Sequence, residues 1–599
     1  MLMESLSAHP IKDLLCPLPV RLFPPLKDRA AWDALPEEKK KSIRDAAAHY
    51  GAMEYPLLKA SQFMAYFRTN SRIAWEDPYF TRRRKLIAAV LDVCLRGAGA
   101  DLDEVVDGIW LICEETSWVL SAHNVDGDAF AGAVLPEIDN PVIDLFAGQT
   151  AMILSLIREL LGEELDAVSP LIRRRMEREI ELRILQPFER RDEFWWMGVV
   201  RRDLNNWTPW IVSNVMLSAA LQVRDPGRLA HILTRGCRML DRYLACMPED
   251  GGCDEGAAYW GMAGGALLDC LDLLEKVTDG RLTFWENEKI RNILRYPARV
   301  WISGRWFVNF ADCDAAPDMY GERLRFAGHK IGSPELIALG SRYPDDASRL
   351  LSDTPQFWRL LNALFSPQET ETAFTPAADL FLESLQIRLL RRGDTALVCK
   401  GGSNGDNHNH NDVGSFMLYD RGEPVIIDAG NMVYTRKTFS AERYTLWNTR
   451  SMYHNVPLIG GVEQAAGAAY AARETRYLPD GLSCDIAGAY PPGAEAITAL
   501  RTFRLDASGA AFLTDEITLK SAKPVTWVFL LRHAPAVDRS GVCSGGWRIA
   551  PSENLKIETE EIPVTDRRME RNYPGSIWRV LLTSEPSTHH ALCFSLSRE

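Results

Sequence analysis

The 599-residue sequence lacks several patterns that would assign it at once to a familiar class. Its 12 cysteines are scattered and form no CxxC pair, which argues against a disulfide framework and favours small buried thiols in a reducing compartment. Neither a GxxxxGK[ST] loop nor a convincing GxGxxG after a strand is present. The sequence therefore gives little support to nucleotide chemistry.

Positive charge and export signals are scarce as well. Lys and Arg total 68 against 81 Asp and Glu, and the net charge of −13 argues against nucleic-acid binding through bulk electrostatics. Residues 1–20 have neither the basic region nor the apolar run of a signal peptide, and no window approaches a membrane span. We therefore expect a cytoplasmic protein without a nucleic-acid or membrane partner, and a homodimer is left open.

The apolar spacing changes once along the chain. From about residue 30 to 365 apolar residues recur at helical spacing, in segments of roughly fifteen to twenty residues broken by Gly, Pro or Asp. Beyond a polar linker near residue 366, short runs with Gly- and Asp-rich turns predict strands. We predict an α/α toroid, an incomplete barrel, at residues 1–370, and an antiparallel β-sandwich or stacked-sheet domain at residues 371–599.

The unusual chemistry of the chain is concentrated in residues 400–464. KGGSNGDNHNHNDVGSF carries His408 and His410, and the following turn and PVIIDAG predict a β-hairpin that returns Asp428 beside them. In an extended chain residues i and i+2 share a face, so both histidines can point into one cavity. His454, in a further strand-like run, is expected to arrive from a neighbouring strand.

Two loops between predicted helices, NNWTPW and DGGCDEGAAYWG, are too aromatic and polar to be plain connectors. Exposed Trp and Tyr rings can stack on sugar rings, so Trp207 and Tyr259 are predicted to line a cleft, whereas Trp195 and Trp196 are predicted to pack in the core. Glu255 is a candidate for binding sugar hydroxyls, and a helix-capping role stays open for it. The arginines at 82–84 and 173–175 are typical of solvated helix faces and are not assigned to substrate.

The motifs NHNHND…GSF, IIDAG and YHNVPLIGG with Glu463-Gln464, together with the upstream NNW and DGGCDEGAAYW, resemble the heparinase II/III-like polysaccharide lyases. This resemblance implies β-elimination on a uronate-containing glycan: a glycosaminoglycan such as heparan sulfate, chondroitin or hyaluronan, or alginate. The reaction removes the C5 proton, stabilises the carboxylate as its charge grows, and protonates the leaving glycosidic oxygen. Tyr, His and neutral amides can perform these steps.

The resemblance also implies roles for matching residues. Tyr259 would protonate the leaving oxygen and His408 would be the opposing base, one supplied by the helical domain and one by the sheet domain. Asn205 or Asn206 would neutralise the carboxylate, and the sequence does not separate the two. Several relatives carry a histidine after this asparagine, whereas this chain has Trp207.

Two further groups follow from the resemblance. A tyrosine of the sheet domain acts as base in some relatives, and Tyr444 is the candidate here, with Tyr434 in reserve. His410, Asp428 and His454 match a two-histidine, one-carboxylate metal site, a ligand set that suits zinc, with manganese as the alternative. The metal would be mainly structural.

Three function classes remain after this reasoning. The first is a lyase acting on an anionic, uronate-containing poly- or oligosaccharide. The second is a metal-dependent glycan hydrolase in which the histidine cluster activates water. The third is a non-catalytic glycan-binding protein, which would tolerate the loss of Tyr259 or His408 without losing affinity.

Overall fold

In the computed structural model the chain divides into two compact units. The structure describes residues 1–124, 134–352, 356–367, 369, 373, 376–377 and 379–599. The first unit comprises residues 1–247, 261–294 and 319–374, and the second comprises 248–260, 295–318 and 375–599.

Helices form the regular structure of the first unit, as the apolar spacing predicts, and one further helix, Arg567–Asn572, lies in the second unit. In chain order the α-helices are α1 (Leu2–Ala8), α2 (Ile11–Leu14), α3 (Arg29–Asp33), α4 (Glu37–Gly51), α5 (Ala60–Phe63), α6 (Ala65–Thr69), α7 (Ile73–Arg96), α8 (Asp103–Cys113), α9 (Leu145–Val168), α10 (Pro170–Ile180), α11 (Gln186–Arg190), α12 (Trp207–Gln222), α13 (Pro226–Cys246), α14 (Gly264–Val277), α15 (Glu288–Val300), α16 (Gly321–Ile331), α17 (Pro334–Gly340), α18 (Ala347–Ser352), α19 (Phe357–Phe365) and α20 (Arg567–Asn572). A π-helical turn, Glu181–Leu185, joins α10 to α11.

Helix α9 is the buried centre of the first unit. The Asp144 carboxylate caps its start by accepting from the N–H groups of Phe146 and Ala147. By length and composition α9 could cross a membrane, yet 83% of its most apolar window is buried inside the protein. The expectation that no window approaches a membrane span is therefore wrong for α9, because a helix packed on all sides needs the same composition.

The arginines near residue 83 are part of the core, which corrects the prediction of a solvated helix face. Arg83 is 2% exposed, and its guanidinium lies 2.8 Å from the Glu115 carboxylate. Arg82 is also buried and lies 3.3 Å from the same carboxylate. Charged residues on a helix can be buried when an oppositely charged side chain pairs with them in the core. The sequence alone did not identify Glu115 as that partner.

Antiparallel strands form the second unit. In chain order they are β1 (Trp301–Ser303), β2 (Trp306–Phe307), β3 (Asp379–Leu382), β4 (Ile387–Arg392), β5 (Thr395–Lys400), β6 (Phe416–Asp420), β7 (Glu423–Ile426), β8 (Pro457–Ile459), β9 (Arg473–Leu478), β10 (Gly481–Asp485), β11 (Ala496–Leu505), β12 (Ala511–Lys523), β13 (Val525–Leu531), β14 (Ala536–Asp538), β15 (Gly541–Ser544), β16 (Trp547–Pro551), β17 (Lys556–Pro563), β18 (Ser576–Thr583) and β19 (Ser587–Arg598). β1 and β2 pair with each other. One large sheet has the order β14-β15-β16-β19-β12-β11-β10-β9, and the second large sheet has the order β17-β18-β13-β7-β6-β5-β4-β3, with β8 paired to β13.

The core of the second unit lies between these two sheets. Burial alternates along β12 and β19, as it must when one face of a strand is packed and the other is not. Aromatic rings from both sheets meet there, with Phe416 and Phe503 centroids 5.5 Å apart and Phe529 and Phe594 centroids 5.1 Å apart. The predicted fold class, helices followed by stacked antiparallel sheets, is confirmed.

The predicted hairpin is β6–β7. Asp420 pairs with Glu423 across a two-residue turn in which Arg421 and Gly422 both have positive φ, the geometry that matches strand twist. Asp428 lies two residues after the end of β7. The histidines themselves lie in the loop between β5 and β6 and are not on a strand, because His408 adopts a left-handed φ of 52° that breaks the extended conformation.

The boundary predicted between residues 370 and 371 falls outside the described residues. Residues 248–260, predicted within the helical domain, belong to the second unit instead. Contacts within that unit hold the segment: the Asp250 carboxylate accepts from the Ser384 N–H and hydroxyl, and Tyr296 donates to the Cys253 carbonyl. Tyr259 therefore belongs to the same unit as His408.

Candidate active site and metal centre

The loop of residues 401–415 presents His408 in a fixed conformation. Arg443 donates to the carbonyl of His408 at 2.8 Å and to that of Asn409 at 2.9 Å, and the Asp312 N–H reaches the His408 carbonyl at 3.3 Å. A left-handed non-glycine residue costs of the order of 1–2 kcal/mol, so these contacts stabilise a strained backbone. Such strain is typical of a functional loop.

Asp312 binds both histidines of the loop. Its Oδ2 lies 2.9 Å from His408 Nδ1, and its Oδ1 lies 2.9 Å from His410 Nε2. Burial raises the pKa of Asp312, but the hydrogen bonds from the two imidazoles outweigh it and hold the pKa well below its usual range. Asp312 is therefore an ionised hydrogen-bond acceptor.

Two tyrosines lie against His408. The hydroxyls of Tyr259 and Tyr434 are hydrogen-bonded to each other, and the Tyr434 hydroxyl lies 3.2 Å from His408 Nδ1. The Tyr259 ring centroid is 4.9 Å from that of His408. Burial raises the pKa of both phenols above the ordinary value, so each keeps its proton at neutral pH.

Glu255 faces the other side of His408. Its Oε1 lies 3.7 Å from His408 Nε2 and, within the described residues, accepts no hydrogen bond. Burial raises the pKa of Glu255 to about 7, against the opposing effect of His408. Glu255 Oε1 therefore makes no capping hydrogen bond within the described residues, and the predicted role near the substrate stays a prediction.

Arg568 lies against the ring of Tyr434. The Arg568 guanidinium is 5.3 Å from the centre of the Tyr434 ring and makes an ion pair with Asp314 at 2.7 Å. Asp566, at the start of α20, accepts from the Val433 N–H. Helix α20 therefore holds the segment that carries Tyr434.

His410, Asp428 and His454 come together as predicted. Each offers one ligand atom, these atoms lie within 4.8 Å of one another, and all three residues are 0% exposed. His454 Nδ1 lies 2.8 Å from Asp428 Oδ2, while His410 Nδ1 and His454 Nε2 have no hydrogen-bond partner in the part of the chain that the structure describes. Two buried histidines, each with an unpartnered ring nitrogen, beside a carboxylate fit a divalent cation.

The asparagines and Trp207 belong to the first unit. Asn205 is committed to local structure, because its Oδ1 accepts from the Trp207 N–H at the start of α12. Asn206 is 6% exposed, and its side chain makes no capping bond. Trp207 is half-buried and packs against Trp195 at 5.1 Å, while Trp196 is buried as predicted.

The sequence made Tyr444 the first candidate for a tyrosine base and Tyr434 the reserve, but the structure places Tyr434 nearer to His408. Tyr434 joins the cluster with Tyr259 and His408, whereas the Tyr444 hydroxyl accepts from Asn409 Nδ2 at 3.1 Å. Asp312 and Arg443 were missed entirely. Asp312 stands in an unremarkable FADCD stretch after β2, and nothing in its local sequence predicts two histidine partners about a hundred positions away.

Comparisons with known proteins agree with this architecture. Residues 376–580 match the family model described as heparinase II/III-like, C-terminal. The structure resembles that of heparinase III (TM-score 0.61, 10% identity, 95% of this chain and 94% of that one). It also resembles the heparan sulfate lyase HepC from Pedobacter heparinus (TM-score 0.56, 12% identity, 96% and 89%).

A third match is a mutant of chondroitin AC lyase from Streptomyces coelicolor A3 (TM-score 0.52, 12% identity, 94% of this chain and 82% of that one). Among curated proteins no sequence matches. The resemblance inferred from the motifs is confirmed for the C-terminal domain, and the likeness to the solved structures establishes the fold.

Proposed function

We propose that this chain, whose residues 376–580 form a heparinase II/III-like C-terminal domain, is a polysaccharide lyase that cleaves uronate-containing glycosaminoglycans by β-elimination. The observation that carries this proposal is the cluster of two phenols and one imidazole formed by Tyr259, Tyr434 and His408. Elimination needs a base and an acid on one site and no covalent nucleophile. The fold shared with heparinase III and chondroitin AC lyase supports this substrate class, with alginate as an alternative.

In the proposed reaction the C5–H bond breaks and its proton passes to His408, or to a tyrosine beside it that has first given its own phenol proton to His408. The electron pair forms the C4–C5 double bond, and the bond from C4 to the glycosidic oxygen breaks. Tyr259 donates its phenol proton to that oxygen, a role that suits a group whose raised pKa keeps it protonated. Tyr434, hydrogen-bonded to Tyr259, would return the proton between turnovers.

If a tyrosine acts as the base, Tyr434 is the better candidate, because it contacts both Tyr259 and His408. Replacing Tyr434 by Phe should then lower turnover far more than replacing Tyr444. A larger loss of kcat in the Tyr444 variant than in Tyr434→Phe would assign the role of base to Tyr444.

Carboxylate neutralisation is assigned to Asn205 or Asn206 by the resemblance alone. Asn206 is the better candidate of the two, since the Asn205 side-chain oxygen Oδ1 already accepts from the Trp207 N–H at the start of α12. A neutral amide that donates to the growing negative charge lowers the barrier without becoming charged itself. Asn206→Ala should therefore reduce kcat more than Asn205→Ala does.

We also propose one divalent cation at His410, Asp428 and His454, zinc by ligand type with manganese as the alternative. When bound, such a cation would join the His408 loop, the segment after β7 and the segment before β8. The complete burial of all three residues favours this structural role over water activation, which requires a position open to substrate. The same burial weighs against the metal-dependent hydrolase.

The experiment is a panel of heparan sulfate, chondroitin, hyaluronan and alginate, followed by the ultraviolet absorbance of an unsaturated uronate product. At least one member should yield that absorbance. Binding without turnover across the panel would favour a glycan-binding protein, and cleavage without the absorbance would favour a hydrolase.

A further inference from the structure

One carboxylate holds two imidazoles that have different roles. Asp312 Oδ2 faces His408 Nδ1 and Oδ1 faces His410 Nε2, each at 2.9 Å. Arg443 Nη2 lies 2.9 Å from the same Oδ1, which supplies a permanent positive charge to the carboxylate. A carboxylate paired with a guanidinium is ionised and only accepts hydrogen bonds, so both facing ring nitrogens must carry a proton.

In a neutral imidazole, each of these protons leaves a lone pair on the opposite ring nitrogen. In His408 the free lone pair is on Nε2, the atom that faces Glu255 and can act as a base. In His410 it is on Nδ1, a buried atom that lacks a partner within the described chain, and His410 belongs to the group with Asp428 and His454. A metal ligand needs this unprotonated nitrogen, and the hydrogen bond on the other one determines which nitrogen it is.

The backbone around Asp312 is built to hold this position. Ala311 has a left-handed φ of 64°, a conformation that costs a non-glycine residue of the order of 1–2 kcal/mol. Asn431 Nδ2 donates to the Asp312 carbonyl at 3.0 Å, and the Asp312 N–H donates to the His408 carbonyl. The main chain of Asp312 is thus fastened both to the His408 loop and to the segment that carries Tyr434.

We propose that Asp312 is a positioning residue that sets the tautomers of His408 and His410 together, so that the base and the metal ligand are coupled through one carboxylate. The catalytic part of this statement rests on the function proposed above. The tautomers and the coupling to metal affinity are properties of the folded protein and can be measured without a glycan substrate.

The first test is the ring ¹⁵N spectrum of the histidines in the full chain, with His408 and His410 assigned from His→Gln variants. The expected spectrum shows His408 protonated on Nδ1 and His410 protonated on Nε2. Protonation of neutral His408 on Nε2, or of neutral His410 on Nδ1, would overturn the proposal.

The second test uses Asp312→Ala and Asp312→Asn, with zinc alone as the metal probe in a chelator competition. Asp312→Ala removes both acceptors, so zinc affinity should fall roughly 10–100-fold and kcat roughly a hundred- to ten-thousand-fold, with KM changed less than about threefold. Asp312→Asn keeps a single acceptor oxygen, so at least one of the two losses should appear. This isosteric variant decides the outcome if Asp312→Ala does not fold.

Asp515→Asn is the matched control. Asp515 is equally buried and makes an ion pair with Arg501 at 2.8 Å inside the same unit, but it contacts none of the site histidines. It should lose thermal stability while keeping zinc affinity and kcat within about threefold of wild type. A folded Asp312→Ala protein that retains wild-type zinc affinity or wild-type kcat would contradict the coupling, as would Asp312→Asn with both retained.

Failure of the proposed function is distinguishable from failure of this coupling. If no uronate glycan is cleaved by the wild-type protein, the lyase assignment fails, while the ring spectra and the zinc competition still decide whether Asp312 sets both tautomers.

Discussion

At the residue scale, Tyr259 is a half-buried phenol that is hydrogen-bonded to the Tyr434 hydroxyl and lies beside the His408 imidazole. Tyr259→Phe keeps the ring and deletes the transferable proton. Since positioned acid–base groups contribute roughly a hundred- to ten-thousand-fold in rate, kcat should fall on that scale without loss of fold. Steady-state kinetics on the best substrate of the panel, with thermal melting as the fold check, measure this.

Tyr490→Phe is the control for Tyr259→Phe. Tyr490 is buried in the second unit, and its hydroxyl donates a hydrogen bond to the Pro457 carbonyl. It has no proposed role in proton transfer. Its loss should lower stability and leave kcat near wild type. Wild-type turnover in Tyr259→Phe would remove this residue from the mechanism.

His454 gives the second prediction at this scale. His454→Ala removes one imidazole from the buried set and leaves Asp428 without its 2.8 Å partner. Both the bound metal and the melting temperature should decrease, because a buried carboxylate is costly without a compensating charge. Elemental analysis of native protein should show about one divalent metal per chain; a metal-free native protein of full stability would contradict the assignment.

At the element scale, helix α9 contains a buried carboxyl group, Glu159, with one unpaired oxygen within the described residues. Glu159 Oε1 accepts from the N–H groups of Leu22 and Phe23, while Oε2 is buried with no partner in the described residues. Burial raises the pKa of Glu159 to about 7. Because the folded-state pKa lies above the unfolded value, the stability contribution is full below about pH 4.5 and is lost as the pH rises through 7.

Glu159→Gln should therefore melt at a higher temperature than wild type at pH 8, and the difference should disappear toward pH 4.5. The raised pKa of Glu159 limits the gain in the free energy of unfolding to an amount on the order of 3 kcal/mol, since one pKa unit is worth about 1.4 kcal/mol. The control is Glu163→Gln on the same helix, an exposed residue paired with Lys27. Equal melting of Glu159→Gln and wild type at pH 8 would contradict the prediction.

The elements differ in how well the sequence predicted them. The β6–β7 hairpin was predictable because apolar alternation and the Arg421-Gly422 turn are local signals. The conformation of His408 was not, because its left-handed φ depends on Arg443 and Asp312, which are distant in sequence. The core position of Arg83 was missed for the same reason, since Glu115, which stabilises it, lies in the segment after α8 and is distant in sequence.

At the scale of the whole molecule, the order of helices and sheets followed from periodicity, while the assignment of residues to units did not. Residues 248–260 lie among predicted helices, yet hydrogen bonds such as Asp250 to Ser384 place them in the second unit. The metal set was predicted from motif resemblance, and the structure brings all three residues together. Asp312 has no motif and became visible only through its contacts.

The mass of the cleavage products tests the proposed elimination most directly. Elimination adds no water across the cleaved linkage and leaves a C4–C5 double bond at the new non-reducing end, whereas hydrolysis adds one water for each cleaved bond. Mass spectrometry of the oligosaccharides released from the best substrate should show product masses that sum to the mass of the starting glycan. Products that have gained water would contradict the assignment of Tyr259 and His408 to a lyase.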